Sequence, residues 1–179
     1  MLADLVSAYR PADPAESADV DRLRELLTSG GDVWSRDTPL HVTASALIVH
    51  PPTARVLLRW HARQESWLQV GGHGDPGETD PVAVALREGE EETGLADLAR
   101  FGEGIVHVVV VPVKPKGDEP AHEHADVRFV LSTGTPDAAR PEKPDAPLRW
   151  LTVAEALDLA TEPNLRETIS RVGRLLQAS

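Results

Sequence analysis

The segment GGHGDPGETDPVAVALREGEEETGL, residues 71–95, constrains this chain more than any other. It follows the strand-like run SWLQV, crosses a short polar turn, and enters a helix that Asp80 caps and Pro81 begins. Gly94 stands where that helix ends. A strand, a loop and a helix in such close succession commit the surrounding chain to an α/β arrangement. On a helical wheel, Val82, Ala85, Leu86, Gly89 and Thr93 form the face expected to be buried. Glu88, Glu91 and Glu92 share an arc of about 100° on the opposite side.

That helix violates local rules. Glu88 and Glu92 are a like-charged i,i+4 pair, and all three acids approach the C-terminal end, where the helix dipole favours cations. Gly89 in the interior is worth about 1 kcal/mol less than Ala. Rules broken together mark a functional site. Clustered carboxylates are stabilised by a hard divalent cation, and Mg2+ takes a few carboxylates together with water and phosphate oxygens. The expected ligands are Glu88, Glu91, Glu92 and the backbone carbonyl of Gly71, with Arg87 holding a carboxylate in place. Gly89 lets the helix lie close to the strand behind it.

The rest of the chain supplies the scaffold. Residues 15–27 carry Val20, Leu23, Leu26 and Leu27 at helical spacing, and Gly30-Gly31 follow. The runs HVTASALIVH, RVLLRWH, SWLQV, GIVHVVVVPV, DVRFVLS and LRWLTV read as strands. KPKGDEPAHEHA reads as a loop, and residues 134–147, with four prolines, as a mobile surface loop. Helices are expected over about 154–159 and around Leu165, Ile169, Val172, Leu175 and Leu176. The expected architecture is an α/β/α sandwich around a central mixed sheet, with residues 1–36 as an N-terminal helical extension and 37–179 as the main domain.

Composition excludes several function classes. The 179 residues contain no cysteine, so thiol nucleophiles, thiolate metal sites and disulfides are all absent. With 29 acids against 18 bases the net charge is −11, which opposes binding to a nucleic-acid duplex or an anionic membrane. No apolar run reaches the roughly 20 residues of a membrane span, and MLADLVSAYR lacks the cationic flank of a secretory signal. A cytoplasmic location is the expectation.

The spacing of Gly72, Glu78, Arg87, Glu88, Glu91, Glu92, Gly94 and Leu95 resembles the Nudix box. That pattern is Gly, five residues, Glu, seven residues, Arg-Glu, an aliphatic, any residue, Glu-Glu, any residue, Gly, aliphatic. Two departures stand out: eight residues separate Glu78 from Arg87, and Gly89 takes an aliphatic position. The extra residue precedes the helical acids, so their relative positions are untouched. The resemblance implies a Nudix-like fold and a pyrophosphohydrolase that cleaves a nucleoside diphosphate linked to another moiety X. It implies water attacking phosphorus, assisted by Mg2+ or Mn2+. The substrate would be a small, nucleotide-derived diphosphate, and a homodimer is a common state of the family.

Within that reading Glu91 and Glu92 are the main metal ligands, and Glu88 is a ligand or the group that takes the proton of water. Some members of the family draw the base from a loop outside the box. Here Glu119, His122, Glu123 and His124 are the place to look, with Glu123 as the candidate. His41, His50, His61, His73 and His107 are dispersed and read as structural, although His73 abuts the box. The alternative is a catalytically inactive Nudix-shaped module that binds a nucleotide metabolite. Three unfavourable acids argue against it, since a sensor has no need of them. An isopentenyl-diphosphate isomerase, which shares the fold, is disfavoured by the missing cysteine.

Overall fold

The computed structural model describes residues 1–115, 117 and 120–178. Its centre is β1 (Leu40–His50), buried along nearly its whole length. On one side β1 runs parallel to β7 (His122–Ser132), with Leu40 opposite Glu123 and Val49 opposite Ser132. On the other side it pairs antiparallel with two strands in turn, β4 (Val70–His73) and β2 (Arg55–His61). Strands β3 (Ser66–Leu68) and β8 (Leu148–Thr152) flank β2, while β5 (Ala99–Arg100) and β6 (His107–Val113) flank β7. Parallel and antiparallel pairs therefore coexist in one mixed sheet.

Alternation along β1 and β7 assigns each residue to a face. One face buries Val42, Ala44, Ala46, Ile48, Val127, Phe129 and Leu131 against α1 (Leu2–Ala8), α2 (Pro14–Thr28) and α3 (Pro81–Thr93). The other buries Leu47, Val49 and Val130 against α4 (Val153–Leu159) and α5 (Pro163–Ala178). The result is the expected α/β/α sandwich with helices at both ends of the chain. Leu2, Val6, Val20 and Leu23 from the first 36 residues belong to the same core as the sheet. Glu16 of α2 is buried and accepts from Arg171 of α5 at 2.8 and 3.0 Å, tying the two helical layers together.

Several local expectations change. SWLQV is two strands, broken at Gln69, because the residues before the break pair with β2 and those after it with β1. Strand β7 begins at His122, four residues before the apolar run, because the long parallel partner extends it. Helix α1 and the two-residue β5 lack a periodic signal in the sequence. The loop over 134–147 is tied down: Arg140 N–H donates to Thr93 O at 2.7 Å, and Trp150 Nε1 donates to Pro136 O at 3.0 Å. Lys116, Asp118 and Glu119 lie outside the described residues.

Candidate active site

Helix α3 starts and stops as its sequence dictates. The Asp80 side chain accepts from Val82 N–H at 3.1 Å, Pro81 opens the first turn, and Gly94 adopts a left-handed φ of 66°. Gly89 faces the sheet, and a Cβ there would lie 2.8 Å from Leu98 Cδ1 and 3.4 Å from Leu131 Cδ1. The missing side chain brings α3 down onto β1 and β7.

Two glycines of β4 then meet the helix. Gly71 lies so close to β1 that a Cβ would sit 2.3 Å from Ser45 Cβ, and its φ is 146°. A Cβ at Gly72 would sit 2.6 Å from Glu88 Oε1. The Glu88 carboxylate thus rests directly on bare backbone.

Arg87 organises the acids. Its Nε and Nη2 donate to Glu78 at 2.9–3.2 Å, and Nη1 donates to Glu88 Oε1 at 3.0 Å and to Glu91 Oε2 at 3.1 Å. Nη2 also reaches His73 O at 2.9 Å, which locks the helix to the end of β4. The bond from Arg87 holds the Glu78 carboxyl below its ordinary range. Glu78 therefore keeps its contact with Arg87 despite the extra residue in the box.

Glu92 departs from the wheel reading. It is 8% exposed and turned toward the sheet, not away from the core. Ala85, Gly89 and Thr93 are buried as the wheel has them and Val82 and Leu86 pack at the margin of the core, but Val84 is buried too and the helix carries Glu92 under β4 while Glu91 stays exposed. Glu92 Oε1 lies 2.9 Å from Arg59 Nη1 of β2, and Oε2 accepts from Gly71 N–H at 3.1 Å. Burial outweighs Arg59 and pushes the Glu92 carboxyl up to about 7. Burial also raises Glu88, against the pull of Arg87. Glu88 and Glu91 meet at Arg87 Nη1, whereas Glu92 turns inward to Arg59. No motif in the sequence marks Arg59; only the pairing of β2 beside β1 brings it here.

The structure separates Glu123 from its histidine neighbours. Strand alternation places Glu123 on the α2 side, where its oxygens accept from Arg22 at 2.6 and 3.1 Å, and that contact lowers its carboxyl. His122 and His124 point to the other face. There they meet His41 and His73, so these two histidines are not dispersed. The His41 and His73 Nε2 atoms are 3.0 Å apart, as are those of His122 and His124. Burial holds His73 down at about 3. His107 is buried and bonded to Thr168 at 2.9 Å. The signal available in the sequence is the HxH alternation at 122–124, which places two imidazoles on one face of any strand.

On this same face Asp126 accepts from Thr43 at 3.1 Å, Ser45 at 2.9 Å and Arg128 at 2.8 Å. Arg128 continues to Thr168 and Asn164 of α5. The tryptophans are spread apart: Trp34 is in the core, Trp60 and Trp67 stack edge to face at 5.6 Å, and Trp150 bonds the 134–147 loop.

A mixed sheet between helical layers, with the 71–95 segment resting on its central strands, defines the Nudix class of fold. The family profile described as NUDIX domain matches residues 39–172. The chain is 27% identical over 148 residues to a probable DHNTP pyrophosphohydrolase of Lactococcus lactis, covering 80% of this chain and 87% of that protein. It is 28% identical over 160 residues to an 8-oxo-(d)GTP phosphatase of Mycolicibacterium smegmatis, covering 88% of this chain but only 45% of that longer protein. The solved structure of a C. elegans Ap4A hydrolase binary complex superposes with a TM-score of 0.62 at 18% identity, covering 77% of this chain and 98% of the other, a likeness of fold. The chain belongs to the NUDIX domain family, and its class is that of the Nudix-type pyrophosphohydrolases. Among the described residues no helix is long and apolar enough to cross a membrane.

Proposed function

We propose that this protein hydrolyses a diphosphate linkage in a nucleotide-derived substrate, a nucleoside diphosphate joined to a moiety X, through attack of water on phosphorus aided by Mg2+ or Mn2+. The observation that carries this reading is the placement of Glu88 on the bare backbone of Gly72, with Glu91 sharing Arg87 Nη1 and Glu92 bonded to the adjacent Gly71 N–H. The donor chemistry suits a hard divalent ion, since the donors are carboxylate oxygens and the Glu88 group occupies a cradle that a Cβ would fill; Glu92, held by Arg59, has to turn to join Glu88 and Glu91 on one ion. Glu88, Glu91, Glu92 and the Gly71 carbonyl would hold it. Such an ion supplies charge neutralisation on the diphosphate oxygens.

The chain's own residues do the rest. Arg87 keeps Glu88 and Glu91 in one orientation through a shared Nη1, with Glu78 anchoring the other side of the guanidinium. Glu88, half-buried beside β4, accepts the proton of the attacking water. Arg59 balances Glu92 before substrate arrives. Glu123 is a second candidate for the proton, and it acts once Arg22 releases it. The two relatives, a probable DHNTP pyrophosphohydrolase and an 8-oxo-(d)GTP phosphatase, support a substrate with a triphosphate tail. In this reading the N-terminal extension, residues 1–36, braces the sheet beside the 37–179 catalytic domain, and the enzyme works in the cytoplasm, as a homodimer.

The test is a phosphate-release screen with Mg2+ over nucleoside triphosphates, oxidised guanine nucleotides, dinucleoside polyphosphates and nucleotide sugars, with Glu92→Gln as control. Turnover of at least one compound, lost in the variant and in chelator, is expected. A variant as active as the wild type would remove the site assignment. No turnover at all, with one nucleotide raising the melting temperature, would replace the enzyme by a binding module.

A further inference from the structure

We propose that His41, His73 and His124 form a binding site for a divalent transition-metal ion of the zinc class, separate from the acids of α3. One ligand nitrogen from each ring lies within 4.8 Å of the other two. Ligands of a tetrahedral zinc ion, each about 2.0–2.1 Å from the metal, are about 3.4 Å apart. The nitrogens have to close by at most about 1.4 Å to reach that spacing. The three residues come from three adjacent strands, β1, β4 and β7, in a fixed register that places His41 opposite His124 and Thr43 opposite His73. Rigid strands are a better platform for a metal than a loop.

The tautomer of His41 is set in the direction a metal needs, and a bound ion would replace the N–H that His73 Nε2 now donates to it. His41 Nδ1 lies 2.9 Å from Thr38 O, and a carbonyl oxygen only accepts, so Nδ1 carries the proton. The lone pair of His41 Nε2 is then aimed into the cluster, toward His73 Nε2 at 3.0 Å. His122 repeats the device, with Nδ1 at 3.0 Å from Pro120 O and Nε2 at 3.0 Å from His124 Nε2. An imidazole that donates one N–H to a backbone carbonyl and presents the other nitrogen is the usual form of a metal-ligating histidine. His122 stands beside His124 and outside the group of three.

Imidazole nitrogens select zinc, nickel or copper over magnesium, whose preference is for oxygen. The cluster and the acids of α3 lie on opposite faces of the sheet, so the two ions would not compete. A cavity of about 200 Å³ opens beside His41, His73 and His122, rimmed by Arg36, Asp37 and Thr38. It leaves the remaining coordination position accessible to water or an anionic oxygen. His73 links this site to the other, because its carbonyl accepts from Arg87.

The experiment titrates the full chain with Zn2+ and with Co2+ in excess Mg2+, followed by calorimetry and by the visible absorption of tetrahedral cobalt. One ion per chain is expected. His41→Asn, His73→Asn and His124→Asn should each weaken uptake at least about tenfold. His50→Asn, at the other end of β1, and Glu91→Gln should leave it unchanged. Circular dichroism reports whether each variant folds, and X-ray absorption of the wild type with Zn2+ counts imidazole ligands independently of any variant. No uptake by the wild type, uptake that survives all three histidine variants, loss in Glu91→Gln, or an all-oxygen shell would each overturn the site.

Discussion

Replacing Gly72 with alanine should lower activity while leaving stability nearly intact. The new Cβ would lie 2.6 Å from Glu88 Oε1, 2.7 Å from Cδ and 2.8 Å from Oε2. Ordinary contact begins near 3.4 Å, so the carboxylate must retreat by about 0.8 Å. The displaced group is the far end of a flexible side chain, and moving it off its preferred rotamer costs about 0.5–1.5 kcal/mol. The loss of backbone freedom in the unfolded chain returns about 0.4–1 kcal/mol. The net change is under about 1 kcal/mol, a midpoint shift of at most roughly 4 °C. A displacement near 1 Å in a catalytic group lowers turnover about 100-fold. The expected result is therefore a normal melt, a nearly unchanged KM, and kcat down by two orders of magnitude. Gly71→Ala is the contrast: its Cβ would strike Ser45 Cβ at 2.3 Å and Ala44 O at 2.7 Å, so it should unfold or detach β4. Wild-type kcat in Gly72→Ala, or a loss of stability equal to that of Gly71→Ala, would refute the packing argument.

Other outcomes follow from the same geometry. Glu88→Gln should lower kcat by about 10²–10⁴, and Glu123→Gln by less, because Arg22 holds Glu123; steady-state kinetics on any turned-over substrate ranks the two. The Glu92 carboxyl sits at about 7 in the folded chain, above its ordinary 4.5, so the folded state keeps a proton that the unfolded state has lost between those values. In chelator, wild type should therefore lose stability relative to Glu92→Gln by about 3 kcal/mol as pH rises from 5 to 8, and a pH-independent gap in thermal melts would contradict this. Arg171→Met leaves Glu16 buried without its cation and should destabilise by about 3–5 kcal/mol at pH 7. Burial pushes Glu16 up, but Arg171 and backbone N–H groups hold it at about 2, so the gap should close as pH falls from 4.5 toward 2.

Much of the candidate site is legible in the residues themselves. Asp80, Pro81 and Gly94 delimit α3 by local backbone chemistry, and the spacing of Arg87, Glu88 and Glu91 along one helix guarantees their meeting. Gly89 signals a close approach because a helix interior has no other use for it. Glu92 is misread for a physical reason. The wheel gives relative angles but no absolute rotation, and the helix's seating on the sheet buries Glu92 against Gly71 and Arg59 while Glu91 stays exposed.

The amino-acid order alone determined the elements with strong periodicity or capping, the absence of thiol chemistry, and the acidic box that marks the family. Tertiary structure decided which side of the sheet each group faces and who stands beside whom. Arg59 reaches Glu92 only because β2 and β4 share an edge of β1, and Glu123 parts from His124 only because strands alternate. His41 meets His124 across more than 80 residues of chain through the parallel register of β1 and β7. Such contacts depend on pairing between distant segments, and a local pattern carries no record of its partner.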